Sequence, residues 1–174
     1  LGWENASECM VLVELLNTLR LSRIALHART GKQQYKGHPD LEAFQGFYEL
    51  CQHPLYYNGG IESLSDIRQI LIRFPLLKGV FIGRGLLSSP LLAKEFKGNE
   101  TFLPEQRMSI YFAFHEELFS AYSQVLQGET QLLVKMKTLW EYFLPETDRK
   151  LLKRIKKSTR LQQYTESVKA IFTS

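Results

Sequence analysis

The stretch Val80-Phe81-Ile82-Gly83-Arg84-Gly85 decides the reading of this chain, together with two earlier segments of similar build. These are Leu55-Tyr56-Tyr57-Asn58-Gly59-Gly60 and Ile24-Ala25-Leu26-His27-Ala28-Arg29-Thr30. Each is a short apolar run of strand character that ends at a polar or glycine-bearing tip. Glycine at such a tip lets the backbone approach a ligand closely and turns successive N–H groups toward one point, which suits a phosphate.

Helical patterns separate these segments. Asn5 and Glu8 have capping-box spacing, and Cys9, Leu12, Leu16 and Leu19 follow at helical intervals. A strand is expected near residues 22–28, then a polar loop over 30–40. Leu41, Phe44, Phe47, Tyr48 and Cys51 predict a second helix before the strand ending at Asn58. Ser63 and Asp66 repeat the capping pattern; Leu64, Ile67, Ile70, Leu71 and Phe74 line one face until Pro75 stops the helix. A strand over 79–83 follows. Three helix–strand alternations with short connections read as an α/β parallel arrangement.

After Gly85 the pattern changes. Residues 90–96 predict a short helix, and Lys97-Gly98-Asn99 a boundary, giving two domains, 1–97 and 98–174. Met108, Phe112, His115, Phe119, Tyr122 and Leu126 mark a long helix closed by Gly128. Leu132, Met136, Leu139, Trp140 and Phe143 mark another, stopped by Pro145, and two more are expected over 147–157 and 161–172. The second half therefore reads as an all-α helical bundle. The net charge of +4 is concentrated there: residues 130–174 hold ten Lys/Arg against four Asp/Glu, whereas residues 1–129 hold twelve against fourteen. A local basic face is better evidence for a polyanion partner than a mean charge.

Each candidate residue has a plain reading beside the functional one. Asn58-Gly59-Gly60 or Gly83-Arg84-Gly85 taken singly reads as a turn. As a pair on consecutive strands they favour a phosphate site, to which Arg84 adds a forked set of donors. His27 reads either as a histidine hydrogen-bonded at a sheet rim or as a group facing a ligand. Arg149, Lys150, Lys153, Arg154, Lys156, Lys157 and Arg160 read as a solvated face or as contacts to an RNA backbone.

The order and wording of the three tips resemble the tRNA-dihydrouridine synthases. That family carries a His-Gly-Arg-Thr or His-Ala-Arg-Thr tip, then Asn-Gly with a third residue, then Gly-Arg-Gly. Here these are His27 to Thr30, Asn58 to Gly60 and Gly83 to Gly85. The segment Gln34-Tyr35-Lys36-Gly37 also fits, and the His-Ala-Arg-Thr wording is most similar to the bacterial subfamily acting near position sixteen of the D-loop. One departure is Gly60, where many members have Asp or Glu. The resemblance implies the C-terminal portion of a TIM (β/α)8 barrel, its last three strands, followed by a helical tRNA-binding domain. It implies FMN as cofactor, held by Asn58, Gly59, Gly60, Gly83 and Arg84 with His27 toward the flavin, and NADPH as reductant. Lys135, Lys137, Arg149, Lys153, Arg154 and Lys157, with Arg29 at its strand end, are the expected tRNA contacts.

No metal site is expected, and no catalytic residue within the chain. By the resemblance, the proton-donating cysteine belongs to an Asn-x-Gly-Cys-Pro segment upstream. Cys9 and Cys51 lack that context and read as packing residues. The chain opens at Leu1 without a lead-in, so the sequence is expected to be part of a longer enzyme and inactive alone. No apolar run approaches a membrane span, and two cysteines without metal or redox spacing point to a reducing cytoplasm. Two alternatives stay open: another FMN-phosphate-binding barrel oxidoreductase, and a non-catalytic RNA-binding module.

Overall fold

The computed structural model describes residues 1–173. The chain divides into two compact units, Leu1–Gly85 and the residues from Leu86 onward. The division falls before the expected 97/98 boundary. Leu91 lies in the second unit's apolar core, so that unit begins ahead of the Lys97-Gly98-Asn99 segment.

The first unit is α/β. Its order is α1 (Glu8–Thr18), β1 (Ile24–His27), α2 (Leu41–Leu50), β2 (Leu55–Asn58), α3 (Leu64–Arg73) and β3 (Gly79–Phe81). The strands form one parallel sheet in the order β1-β2-β3. Leu55 and Tyr57 of β2 are buried, and the Phe44 ring of α2 meets Tyr57 edge-on at 4.9 Å and Phe74 at 5.0 Å. Ile67 and Ile70 of α3 are buried on the expected helical face, and Ser63 and Asp66 form the expected capping box. The alternate positions of β2, Tyr56 and Asn58, are only half-buried, and Tyr56 meets Phe81 at 5.7 Å. One sheet face is thus sealed by α2 and α3, and the other remains more open.

Two expectations for α1 are corrected. Its buried residues are Cys9 and Val13, not the stripe through Leu12 and Leu19, both of which are exposed. Apolar residues surround this helix, so sequence spacing alone cannot choose the inner face. Its start forms only half of the expected capping box: the Glu8 carboxylate accepts from the Asn5 backbone N–H, and from those of Trp3 and Glu4, but the Asn5 side chain accepts from Ser7 rather than from Glu8.

The second unit is helical. It begins within α4 (Arg84–Ser88) and continues through α5 (Leu92–Gly98), α6 (Pro104–Val125), α7 (Glu129–Leu139), α8 (Arg149–Lys157) and α9 (Leu161–Phe172). Gly128 does not close α6, which ends at Val125 and is capped by Leu126; with φ +85° it caps the start of α7. Tyr111, Met136, Trp140, Phe143, Ile155 and Tyr164 centre the core. Buried within it, the Tyr164 hydroxyl lies 2.7 Å from His115 Nε2 and accepts from Trp140 Nε1 at 2.9 Å. The buried Glu95 pairs with Arg107, which also donates to the Tyr111 hydroxyl.

Candidate functional site

Strand register assembles the site. His27 is paired with Asn58, and Asn58 with Phe81, so the three strands end level with one another. The segments that follow line a cleft of about 260 Å³, with His27, Arg29, Asn58, Gly59, Gly60, Gly83 and Arg84 all in its wall. All six expected cofactor-binding residues are therefore brought together.

Glycine is required at this meeting point for steric reasons. Gly60 has φ +57°, in the left-handed region that favours glycine. Gly83 differs: nothing lies within 4 Å of where its Cβ would be, so its backbone is bare beside the cleft. The space beside Gly60, where many family members carry a carboxylate, is occupied by Pro39, whose Cγ would lie 2.9 Å from an added Cβ.

Arg29 is corrected by the structure. Expected at an RNA surface, it is only 6% exposed. Its two terminal nitrogens donate to the carbonyls of Lys36 at 2.8 Å and Gly37 at 2.9 Å, because the 30–40 loop folds back over it. Its Nε has no hydrogen-bond partner, and no ion pair involving Arg29 occurs among the described residues. A buried cation without an ion-pair partner is costly, so its setting beside the cleft favours an anion there. Arg84 supplies a second guanidinium, 4.6 Å from the centre of the Tyr35 ring, and Glu62 is the acidic side chain in the wall. The imidazole of His27 is shifted below its usual value by burial and by surrounding positive charge, Arg29 foremost. It is therefore neutral at pH 7 and works as a hydrogen-bonding group. This chemistry fits a phosphate group: the forked guanidinium of Arg84, the buried positive charge of Arg29 beside it, bare glycine backbone and a neutral imidazole.

Tyr35, Ile61 and Phe81 also stand in this wall, and none of them is expected there from the sequence. The level register His27–Asn58–Phe81 is the signal that flags Phe81. Tyr35 falls in the Gln34-Tyr35-Lys36-Gly37 segment that fits the family, although the sequence assigns it no role in the site.

In the helical unit, Lys150, Lys153, Arg154 and Lys157 line a shallow groove of about 430 Å³ with Gln163 and Glu166. Arg149 is exposed but outside that lining. Lys135 is exposed, with its ammonium 5.3 Å from the centre of the Tyr122 ring. Lys137 differs: it is half-buried, and its ammonium donates to the Ser158 carbonyl at the end of α8 at 2.9 Å. Among the described residues, no group of three or more His, Cys, Asp or Glu is placed to hold a metal, and no helix is long and apolar enough to cross a membrane.

The family model described as Dihydrouridine synthase (Dus) matches residues 1–173. The chain belongs to the dihydrouridine synthase family. It is 34% identical over 97 residues to a probable tRNA-dihydrouridine synthase of Aquifex aeolicus, covering 56% of this chain and 30% of that protein. It is 27% identical over 105 residues to the tRNA-dihydrouridine(16) synthase of Escherichia coli, covering 60% of this chain and 33% of that protein. The chain spans about a third of the length of the curated relatives it matches. Family membership displaces the alternative of an unrelated phosphate-binding barrel enzyme.

Proposed function

We propose that the Leu1–Gly85 unit is the flavin-phosphate side of a tRNA-dihydrouridine synthase. In this reading its three strands are part of a TIM barrel, whose inward face is the open side of the sheet. The observation that carries it is the buried, ion-pair-free Arg29 beside a cleft walled by Gly83 and Arg84. Arg84 and the glycine backbones would hold the phosphate of FMN. Neutral His27 and the Asn58 amide would offer hydrogen bonds farther along, and Tyr56 and Phe81 an apolar surface. When bound, FMN supplies hydride chemistry for reducing uridine to 5,6-dihydrouridine in tRNA, with NADPH as the proposed reductant.

The helical unit would contact tRNA through Lys150, Lys153, Arg154 and Lys157, with Arg149 and Lys135 as further phosphate contacts. Such a substrate implies a cytoplasmic enzyme. Titration of the chain with FMN and with riboflavin tests the cofactor reading. FMN should bind more tightly, and Arg84→Met should erase the difference. Equal affinities in the parent would remove the phosphate assignment and leave an RNA-binding module without flavin chemistry as the better reading.

A further inference from the structure

Arg84 is a long side chain at the rim of the cleft, and such a group has many rotamers to lose before it can grip an anion. Its guanidinium lies against the Tyr35 ring, 4.6 Å from the ring centre. Tyr35 is 68% exposed, so burial does not hold that ring in place. The backbone beneath it does. Arg29 ties down the carbonyls of Lys36 and Gly37, and Gln33 Nε2 donates to the carbonyls of Lys36 at 2.9 Å and His38 at 2.7 Å. Asp40 N–H donates to the Ala28 carbonyl at 2.8 Å, anchoring the far end of the loop beside β1. The turn is completed by Gln34 at φ +52° and Gly37 at φ +66°.

We propose that Tyr35 is a positioning residue for anion binding: the loop fastened by Arg29 presents its ring so that Arg84 is held over the cleft before a phosphate arrives. The inference rests on the phosphate reading above. The buried guanidinium thus acts twice. It gives the cleft its positive charge, and it fixes the loop that orients the second guanidinium. The ring face attracts the cation without neutralising it, so Arg84 keeps its charge for the ligand. A carboxylate at position 35 would instead compete with that ligand.

The test is a double-mutant cycle on Tyr35 and Arg84, with affinity for FMN and riboflavin read by flavin fluorescence quenching in the full chain. Tyr35→Leu should weaken FMN binding by about two- to five-fold and leave riboflavin binding unchanged. Tyr35→Phe should restore FMN binding, since the ring face is what matters. In an Arg84→Met background, Tyr35→Leu should have no further effect. Thermal melts should be alike for the Tyr35 variants, because the side chain is exposed. Equal weakening of FMN and riboflavin, or additive effects of the two substitutions, would overturn the positioning role while sparing the phosphate reading. A parent chain that does not distinguish FMN from riboflavin would remove that reading, and the proposal with it.

Discussion

Gly85 and Ile61 touch where no side chain could fit: a Cβ on Gly85 would overlap the Ile61 carbonyl oxygen and lie 3.1 Å from the Glu62 Cα. The loop after β2 and the first turn of α4 therefore meet through bare backbone. Gly85→Ala should push these segments apart and destabilise the unit by roughly 1–3 kcal/mol, since backbone cannot yield as a flexible side chain does. Urea denaturation checks this. A variant as stable as the parent would show that the two segments are free to separate.

Gly83 should behave in the opposite way. Its missing Cβ faces open space, so Gly83→Val should leave the melting temperature within about 2 °C of the parent. The new methyl groups would stand beside the cleft and obstruct phosphate, raising the FMN dissociation constant by about ten-fold or more. Paired measurements of melting and flavin binding separate the two glycines. Loss of stability at Gly83, or retention of FMN affinity, would contradict the cradle.

These loops also mark how far the sequence is legible. The strand tips can be read because apolar runs stop abruptly at Asn58-Gly59-Gly60 and Gly83-Arg84, and parallel pairing puts such ends on one edge. The inner face of α1 cannot, since Val11, Leu12, Leu15 and Leu19 are apolar yet exposed. The burial of Arg29 depends on a loop that folds back from residues 36 and 37, a tertiary event without a local pattern. Likewise, Lys137 looks like any other cation until the end of α8 arrives beside it.

The two lysines of α7 should therefore separate. Lys137→Ala should cost about 1 kcal/mol of stability, because it removes a charge-assisted bond to the Ser158 carbonyl. Lys135→Ala should be close to neutral for stability. Replacing Lys153, Arg154 and Lys157 together should leave the fold intact and lower the salt slope of tRNA binding by about 0.7–0.9 per lost phosphate contact. An unchanged slope would make this groove a solvated face.

Acid should weaken the helical unit through His115. Burial pushes its imidazole below the usual 6.5, outweighing the opposing pull of Glu116. At neutral pH the ring can accept at Nε2 from the Tyr164 hydroxyl and donate at Nδ1 to Glu116. The unfolded chain binds the proton more readily, so stability is complete above 6.5 and falls as pH drops toward the folded value. Each tenfold difference in proton affinity between the unfolded and folded chain makes that loss larger by about 1.4 kcal/mol. Burial depresses His27 too, adding a slope of the same sign. Denaturation curves between pH 5 and pH 8 should show stability rising with pH, and His115→Gln should flatten part of the rise. A slope untouched by that substitution would exclude His115 as its source.

The last prediction is that this chain alone does not reduce uridine. Among the described residues the sheet has three strands, and β1 and β3 are its edges, too few strands to close a barrel around a flavin ring. Among the described residues, neither cysteine is placed to serve as an acid for the uracil. Cys9 is buried, with its thiol directed at the Ala6 carbonyl, and Cys51 Sγ lies 3.7 Å from the His53 carbonyl. Neither lines the cleft, and burial raises the Cys9 thiol further above its usual value. His27 is in the wall, but its lowered affinity for a proton leaves it neutral at the working pH and a poor general acid. Purified chain supplied with FMN, NADPH and unmodified tRNA should form no dihydrouridine above background, while still favouring FMN over riboflavin. Turnover at the rate of an intact synthase would overturn this expectation and return His27, the imidazole in the cleft wall, as the acid to be tested by substitution.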